Sequence, residues 1–240
     1  PDSTANSALN ALTRLGYPGG WVIRYIEENP ELSERAIGTS VDPNSLGGLL
    51  LMIGALIGPQ VVTRQPLFRR PLVLLIAGLV IVALILTFSR GAMLGLAAGL
   101  GFVALTRYRR LLPWLALAAL LLLVLPITQG YIARFVEGFQ GADLATQMRF
   151  GEYKDALILI GRYPIFGVGF AGTPDIDVYL AVASVYFTIA GRMGLLGLLG
   201  FFTIMAVVFG YAHRHRHALR ADERRDAVWL GLHAALVGAL

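Results

Sequence analysis

The residue whose position most needs a chemical reason is Arg90. It stands in LILTFSRGAMLGL, residues 84–96, where one apolar run reaches Phe88 and a second begins directly after Ser89-Arg90-Gly91. An arginine at such a tip can snorkel and merely end a membrane span. It can also present a planar fork of donors, which never deprotonates, to a phosphate at the membrane surface. Other groups with chemical potential are Arg149 and Glu152 in DLATQMRFGEYKDALILIGRYP, 143–164, and Asp175-Ile176-Asp177 after the glycine-rich IFGVGFAGTPDID. Arg35 opens RAIGTSVDPN, 35–44, and either serves as a further cation or pairs with Glu31 or Glu34. Gly167-Val168-Gly169 lacks the lysine of a phosphate-binding loop. In HRHRH, 213–217, alternate positions do not share a helix face, which argues against a metal site. The chain has no cysteine, so disulfides and thiolate chemistry are excluded.

The elements that must position these groups are membrane helices. The 240-residue chain is 56% hydrophobic and only 15% charged, with a mean hydropathy of +0.67. Its apolar runs reach the length of about 17–25 residues that crosses a bilayer. Six spans are predicted: 46–63, 71–88, 91–106, 111–127, about 195–211, and one starting near 228. The lack of an initial methionine and the apolar end at Leu240 read as a piece of a longer polytopic protein. The domain layout follows: an outer segment 1–44, four spans in 45–127, an outer loop domain 128–194, and a span, basic loop and last span in 195–240. The predicted fold class is an all-α transmembrane bundle with a partly helical outward loop domain.

Arginines set the orientation. Loops 64–70, 107–110 and 213–227 are arginine-rich and fall on one side if the spans alternate. The positive-inside preference makes that side cytoplasmic. The net charge of +5 is explained in this way, without nucleic acid, because no basic stripe with interleaved aromatics is present. Arg90 then lies on the outer side, against that preference, which favours a function for it. The first four spans have no ionisable residue in their interiors, unlike the midplane sites of ion-coupled carriers. Gly91, Gly95 and Gly99, and Gly54 and Gly58, form small-residue rows suited to close helix packing.

The outer segments carry further signals. Asp42-Pro43-Asn44 offers a turn and a helix start. Residues 143–164 are predicted to form a helix that ends before Pro164. Residues 178–200 read as a helix lying in or re-entering the membrane, with a break at Gly191–Gly194.

Four stretches, in order and spacing, resemble the O-antigen ligase and polymerase family of bacterial membrane proteins. They are RAIGTSVDPNSLG, TFSRGAMLGL, MRFGEYKDALILIGRYPIFGVGF and GRMGLLGL, and the resemblance covers roughly 35–205. It implies a multi-pass inner-membrane bundle with a large periplasmic domain. It also implies an enzyme that transfers a glycan from undecaprenyl pyrophosphate to a glycan or lipid acceptor, with membrane lipid as the surrounding partner and with neither metal nor cofactor. The family's Arg-x3-Leu motif falls on Arg90 and Leu94, its essential outer-loop arginine on Arg149, and its Gly-x-x-Gly on Gly194 and Gly197. The ligase-type histidine position is Ala183 and the following asparagine position is Ser184. The missing histidine favours a polymerase-type branch.

With that resemblance, Arg90 and Arg149 are the candidates for holding the pyrophosphate, and Arg35 is a candidate substrate-binding cation. A base for the acceptor hydroxyl is still required. Asp175, Asp177 and Glu152 are the local carboxylates, with Asp177 as the catalytic candidate; Ser184 and Tyr186 could position the acceptor. Asp175-Ile176-Asp177 also matches the D-x-D pattern of metal-dependent sugar-nucleotide transferases, a pattern common by chance. The alternative function is a non-catalytic carrier or flippase for lipid-linked glycan.

Overall fold

Apolar runs become discrete helices where a cap or a turn residue lets each begin and end. The computed structural model of the chain describes residues 24–26, 34–40, 42–124, 132–133, 136, 140, 144–170, 184–219 and 222–240. Seven α-helices are described within them: α1 (Pro43–Val62), α2 (Arg70–Leu86), α3 (Arg90–Thr106), α4 (Leu112–Val124), α5 (Leu144–Arg162), α6 (Val185–Leu219) and α7 (Glu223–Ala239). The described residues form no sheet, and an isolated antiparallel bridge joins Tyr25 to Glu34.

The helix starts follow from capping chemistry. Asp42 accepts from the Ser45 amide at 2.7 Å and the Ser45 hydroxyl at 2.9 Å, and Pro43 takes the first helical position. Asp222 likewise accepts from the amides of Arg224 and Arg225, so α7 begins at Glu223, several residues before the predicted start near 228. An apolar-run reading misses this first turn because it is charged. α1, α2 and α3 begin and end within three residues of the predicted stretches 46–63, 71–88 and 91–106, α6 starts at Val185 rather than near 195, and α5 at Leu144–Arg162 lies within the helix predicted over 143–164.

α1, α2, α3 and α7 form the packed bundle. Its core includes Leu51, Ala55, Val80, Leu84, Leu96, Val103 and Ala234. α1 and α3 run parallel, as the Gly47–Ser89, Gly54–Leu96 and Gly58–Leu100 approaches show. α7 runs antiparallel to α3, with Gly238 against Gly95 and Ala234 against Gly99. Gly54, Gly58, Gly95 and Gly99 of the predicted rows thus do pack helices, and Gly91 does not: a methyl on Gly99 would come 2.5 Å from the Ala234 carbonyl oxygen, and one on Gly91 would meet nothing within 4 Å. Arg107 at the end of α3 donates to Asp226 in the first turn of α7 at 2.8 Å, tying the other end of the same helix pair.

The outer faces of the bundle are apolar. On α2 only Val73, Val80 and Leu84 are buried, while Leu72, Leu74, Leu75, Leu79, Ile81 and Val82 are exposed. Each such side chain would cost about 1.5–3 kcal/mol in water relative to an apolar medium, so these faces suit lipid. Among the described residues two stretches are long and apolar enough to cross a membrane by length and composition: α1, and 185–215 of α6, a stretch that is interrupted at Gly194. α2 and α3 have 17 residues each, a rise of about 25 Å against a hydrocarbon core of about 30 Å. Arginines at their ends (Arg69, Arg70, Arg90, Arg107) have stems that bridge such a shortfall.

Candidate functional site

The tip between α2 and α3 is four bonds deep in support. α2 ends with carbonyls that have no helical partner. The Ala36 amide donates to the Leu86 carbonyl at 2.8 Å, and Arg35 Nε donates to the Thr87 carbonyl at 2.9 Å. Thr87 is fully buried; its hydroxyl donates to the Leu84 carbonyl at 2.6 Å and accepts from the Ser89 amide at 3.2 Å. Phe88 between them takes a φ of 52°, a left-handed conformation that costs a non-glycine residue about 1–3 kcal/mol. Ser89 is buried against Gly47 of α1, where a methyl on the glycine would approach the serine Cβ to 2.9 Å.

This support places Arg90 at the first helical position of α3. Arg90 is half-exposed, and Leu94, one turn along the same helix face, is 51% exposed. The Arg-x3-Leu pair therefore lies on a face that the described helices leave uncovered. Arg35 joins it at the same end of the bundle: its Nη2 donates to Asn44 Oδ1 at 3.0 Å, near the start of α1. Two arginines and the parallel N-termini of α1 and α3 thus gather at one end. Partial positive charge at helix N-termini adds to such a site. Besides the cation and ion-pair roles expected for it, Arg35 braces the tip through Thr87 and Asn44, neither of which was singled out as its partner from sequence.

A second unit is built from α5 and α6. α6 is broken at Gly194, φ 69° and ψ −174°. A straight helix would hold residues 186 and 202 about 24 Å apart. Instead the Tyr186 ring centroid lies 6.1 Å from Phe201 and 5.8 Å from Phe202, so the segment before the break folds back along the segment after it. The predicted break is present; 178–183 lie outside the described residues. Tyr163–Gly169 plugs the break. Val168 and Gly169 amides donate to the Gly191 and Arg192 carbonyls at 3.0 and 2.8 Å, and the Leu195 amide donates to the Pro164 carbonyl at 2.8 Å. Gly167 and Gly194 are both left-handed, and a Cβ on either would strike the opposing backbone. This is what the Gly194 of the Gly-x-x-Gly motif does.

Arg192, missed from sequence although it stands in GRMGLLGL, has a buried Nε without a hydrogen-bond partner among the described residues. Its guanidinium sits 6.0 Å above the Phe170 ring. Arg149 lies half-buried on α5, one turn before Tyr153, whose ring is 5.1 Å from Phe187. Ser184 starts α6: its carbonyl accepts from the Thr188 amide and hydroxyl, both at 2.9 Å. Tyr186 Oη donates to the Leu240 carbonyl at 2.6 Å, linking this unit to the α7 end that packs on α3 near Arg90. The structure therefore places Arg35, Arg90 and Tyr186 at the same end of the bundle. α5 packs chiefly on α6, so no described packing places Arg149 against Arg90. Asp175, Asp177 and Ala183 lie outside the described residues.

No cluster of three or more histidine or acidic residues with metal-binding geometry occurs among the described residues. His233, also missed from sequence, is buried on α7 between Phe209 and Trp229, with Nδ1 2.8 Å from the Trp229 carbonyl oxygen.

The model of the O-antigen ligase family matches residues 73–202, more than half of the chain, from within α2 into the second part of α6. No curated protein and no solved structure matches the chain. The matched segment contains the Arg90 tip, the α5 helix and the Gly194 break, and the chain belongs to the O-antigen ligase family, membrane proteins that transfer glycans in surface-polysaccharide assembly.

Proposed function

We propose that this protein joins an undecaprenyl-pyrophosphate-linked glycan to an acceptor at the outer leaflet of the bacterial inner membrane, by a polymerase-type reaction. In this reading six spans cross the membrane, and segments 1–44 and 128–194 face the periplasm. The observation that carries it is the Arg35 side chain, bonded to Thr87 and Asn44, which sets a second arginine beside the Arg90 tip.

An acceptor hydroxyl attacks the anomeric carbon of the lipid-linked sugar. A glycosidic bond forms, the bond to the pyrophosphate oxygen breaks, and the hydroxyl proton passes to a base. Asp177 is the proposed base, in place of the histidine that Ala183 replaces. Negative charge grows on the departing pyrophosphate. Arg90, with Arg149 from the α5 unit, would hold that charge through bidentate bonds that strengthen at low dielectric. Arg35 braces the Thr87 turn that precedes Arg90 and adds to the local positive field. Ser184 and Tyr186 would orient the acceptor. The exposed Arg90–Leu94 face gives the carrier lipid a route in from the side.

The test uses the full-length protein in proteoliposomes with labelled undecaprenyl-pyrophosphate oligosaccharide. Longer glycans and released carrier are expected. Arg90→Ala should lower transfer by about 100-fold or more, as the loss of a transition-state donor does. Transfer only on addition of lipid A–core would replace the polymerase reading with the ligase one. Labelled lipid crossing the membrane without a new glycosidic bond would leave the carrier or flippase.

A further inference from the structure

The opposite end of the bundle holds a pocket that the glycan chemistry does not use. It has a volume of about 720 Å³ and is lined by Arg64, Arg109, Arg110, Arg107, Trp114 and Glu223, among others. That size falls in the range of about 300–1,000 Å³ typical of small-molecule sites. Arg107 is committed to Asp226 at 2.8 Å. Three further arginines and one carboxylate remain. Glu223 Oε2 is buried and accepts no hydrogen bond among the described residues, although arginines line the same pocket. A buried charged acceptor left unpaired is costly, so a donor from outside the described chain suits this position. The site thus asks for two things at once: an anion for the arginines, and an N–H cation for Glu223.

We infer that this pocket binds an aminophospholipid headgroup, with the phosphodiester on Arg64, Arg109 and Arg110 and the primary ammonium on Glu223. The surroundings point to a bilayer lipid as the source. Trp114 is 68% exposed at the rim, where an indole suits the headgroup level. Leu117, Leu120 and Val124 continue along α4 as exposed apolar surface that an acyl chain could follow. Basic pockets between membrane helices are established settings for phospholipid headgroups. The acidic member makes this one selective. A choline headgroup carries a cation without an N–H to donate, and a glycerol headgroup carries no cation.

The experiment titrates the full-length protein in detergent with phosphatidylethanolamine, phosphatidylcholine and phosphatidylglycerol of identical acyl chains. Bound lipid is read by native mass spectrometry and thermal unfolding. Phosphatidylethanolamine should bind at least about tenfold tighter than phosphatidylcholine, the scale of one charged hydrogen bond. Glu223→Ala should erase that preference and leave phosphatidylglycerol binding in place, which also shows that the variant is folded. The paired change Arg109→Ala with Arg110→Ala should weaken both lipids together by about tenfold or more. Equal binding of the ethanolamine and choline lipids to the wild type would overturn the inference. So would an ethanolamine preference that survives Glu223→Ala, or soluble phosphoethanolamine competing as well as the lipid does.

Discussion

The chain interrupts its helices at two places that matter for the site, and it repairs them in different ways. At the Arg90 tip the repair adds side chains to one backbone bond from Ala36: Arg35 reaches the Thr87 carbonyl from 52 positions away, and the Thr87 hydroxyl receives the Ser89 amide. At the α6 break the repair uses backbone: the amides of Val168, Gly169 and Leu195 close the gap, and two glycines make room. Side-chain repair holds a particular functional group in place and depends on which residues supply it. Backbone repair is indifferent to most side chains but cannot accept a Cβ at its crossing point. The tip should therefore be graded in its response to mutation, and the break abrupt.

Gly194→Ala should have the largest effect. The new Cβ would overlap the Ile165 carbonyl and also sit at φ 69°. Left-handed strain alone costs about 1–3 kcal/mol, and a clash with backbone that cannot move aside adds to it. Thermal unfolding of the purified protein should show loss of the α5–α6 unit or of the whole fold, with glycan transfer lost too. A variant as stable as wild type would show that the break tolerates a side chain, and the contrast with the tip would fail.

Arg35→Ala comes next. It removes donors to the Thr87 carbonyl and to Asn44 Oδ1. Bonds from a charged donor contribute about 1.5–3 kcal/mol, partly offset here because the site is half-exposed. Transfer should fall with it, since Arg90 would lose its support. Arg35→Lys separates the two roles: it keeps the charge but not the fork, so poor rescue indicates positioning and full rescue indicates charge alone.

Thr87→Val tests the buried hydroxyl. The swap keeps the shape but leaves the Ser89 amide without its acceptor, at a cost of about 1–3 kcal/mol. The expected readout is a smaller drop in melting temperature than for Gly194→Ala, with weakened binding of the lipid-linked substrate. An unchanged melting temperature would show that the tip does not depend on this bond.

Much of this architecture was legible in the sequence. The apolar runs, Asp42-Pro43, the glycine rows and the break near Gly194 are local patterns, and local physics fixes them. The sequence also put Arg35 and Arg90 on one side of the membrane, and in the structure both lie at one end of the bundle. What escaped was non-local or lay in charged first turns. Neither the Arg35–Thr87 bond nor the Arg107–Asp226 pair, separated by 52 and 119 positions, has any periodic signature. The Gly167 loop could be read only as permissive backbone, because its partners are the Gly191 and Arg192 carbonyls beside the predicted break, more than 20 positions away, and nothing local ties the two together. Glu223 and Asp226 were overlooked because an apolar-run criterion starts a span after its polar cap.

The smallest effect is predicted beside the most consequential residue. Gly91 follows Arg90 and belongs to the same small-residue row as Gly95 and Gly99, so the sequence treats the three alike. The structure does not: a methyl on Gly91 meets nothing within 4 Å, whereas one on Gly95 would strike the Gly238 carbonyl oxygen. Gly91→Ala should therefore leave stability unchanged or raise it by up to about 0.5–1 kcal/mol, the ordinary helical gain of alanine over glycine. Transfer should stay near the wild-type level, because the Arg35 and Thr87 bonds do not involve Gly91. Gly95→Ala, one turn further on, should destabilise the bundle by separating α3 from α7. If Gly91→Ala instead abolished transfer without lowering the melting temperature, the Arg90 tip would need open space on that face for substrate. It would then be graded in stability but abrupt in function.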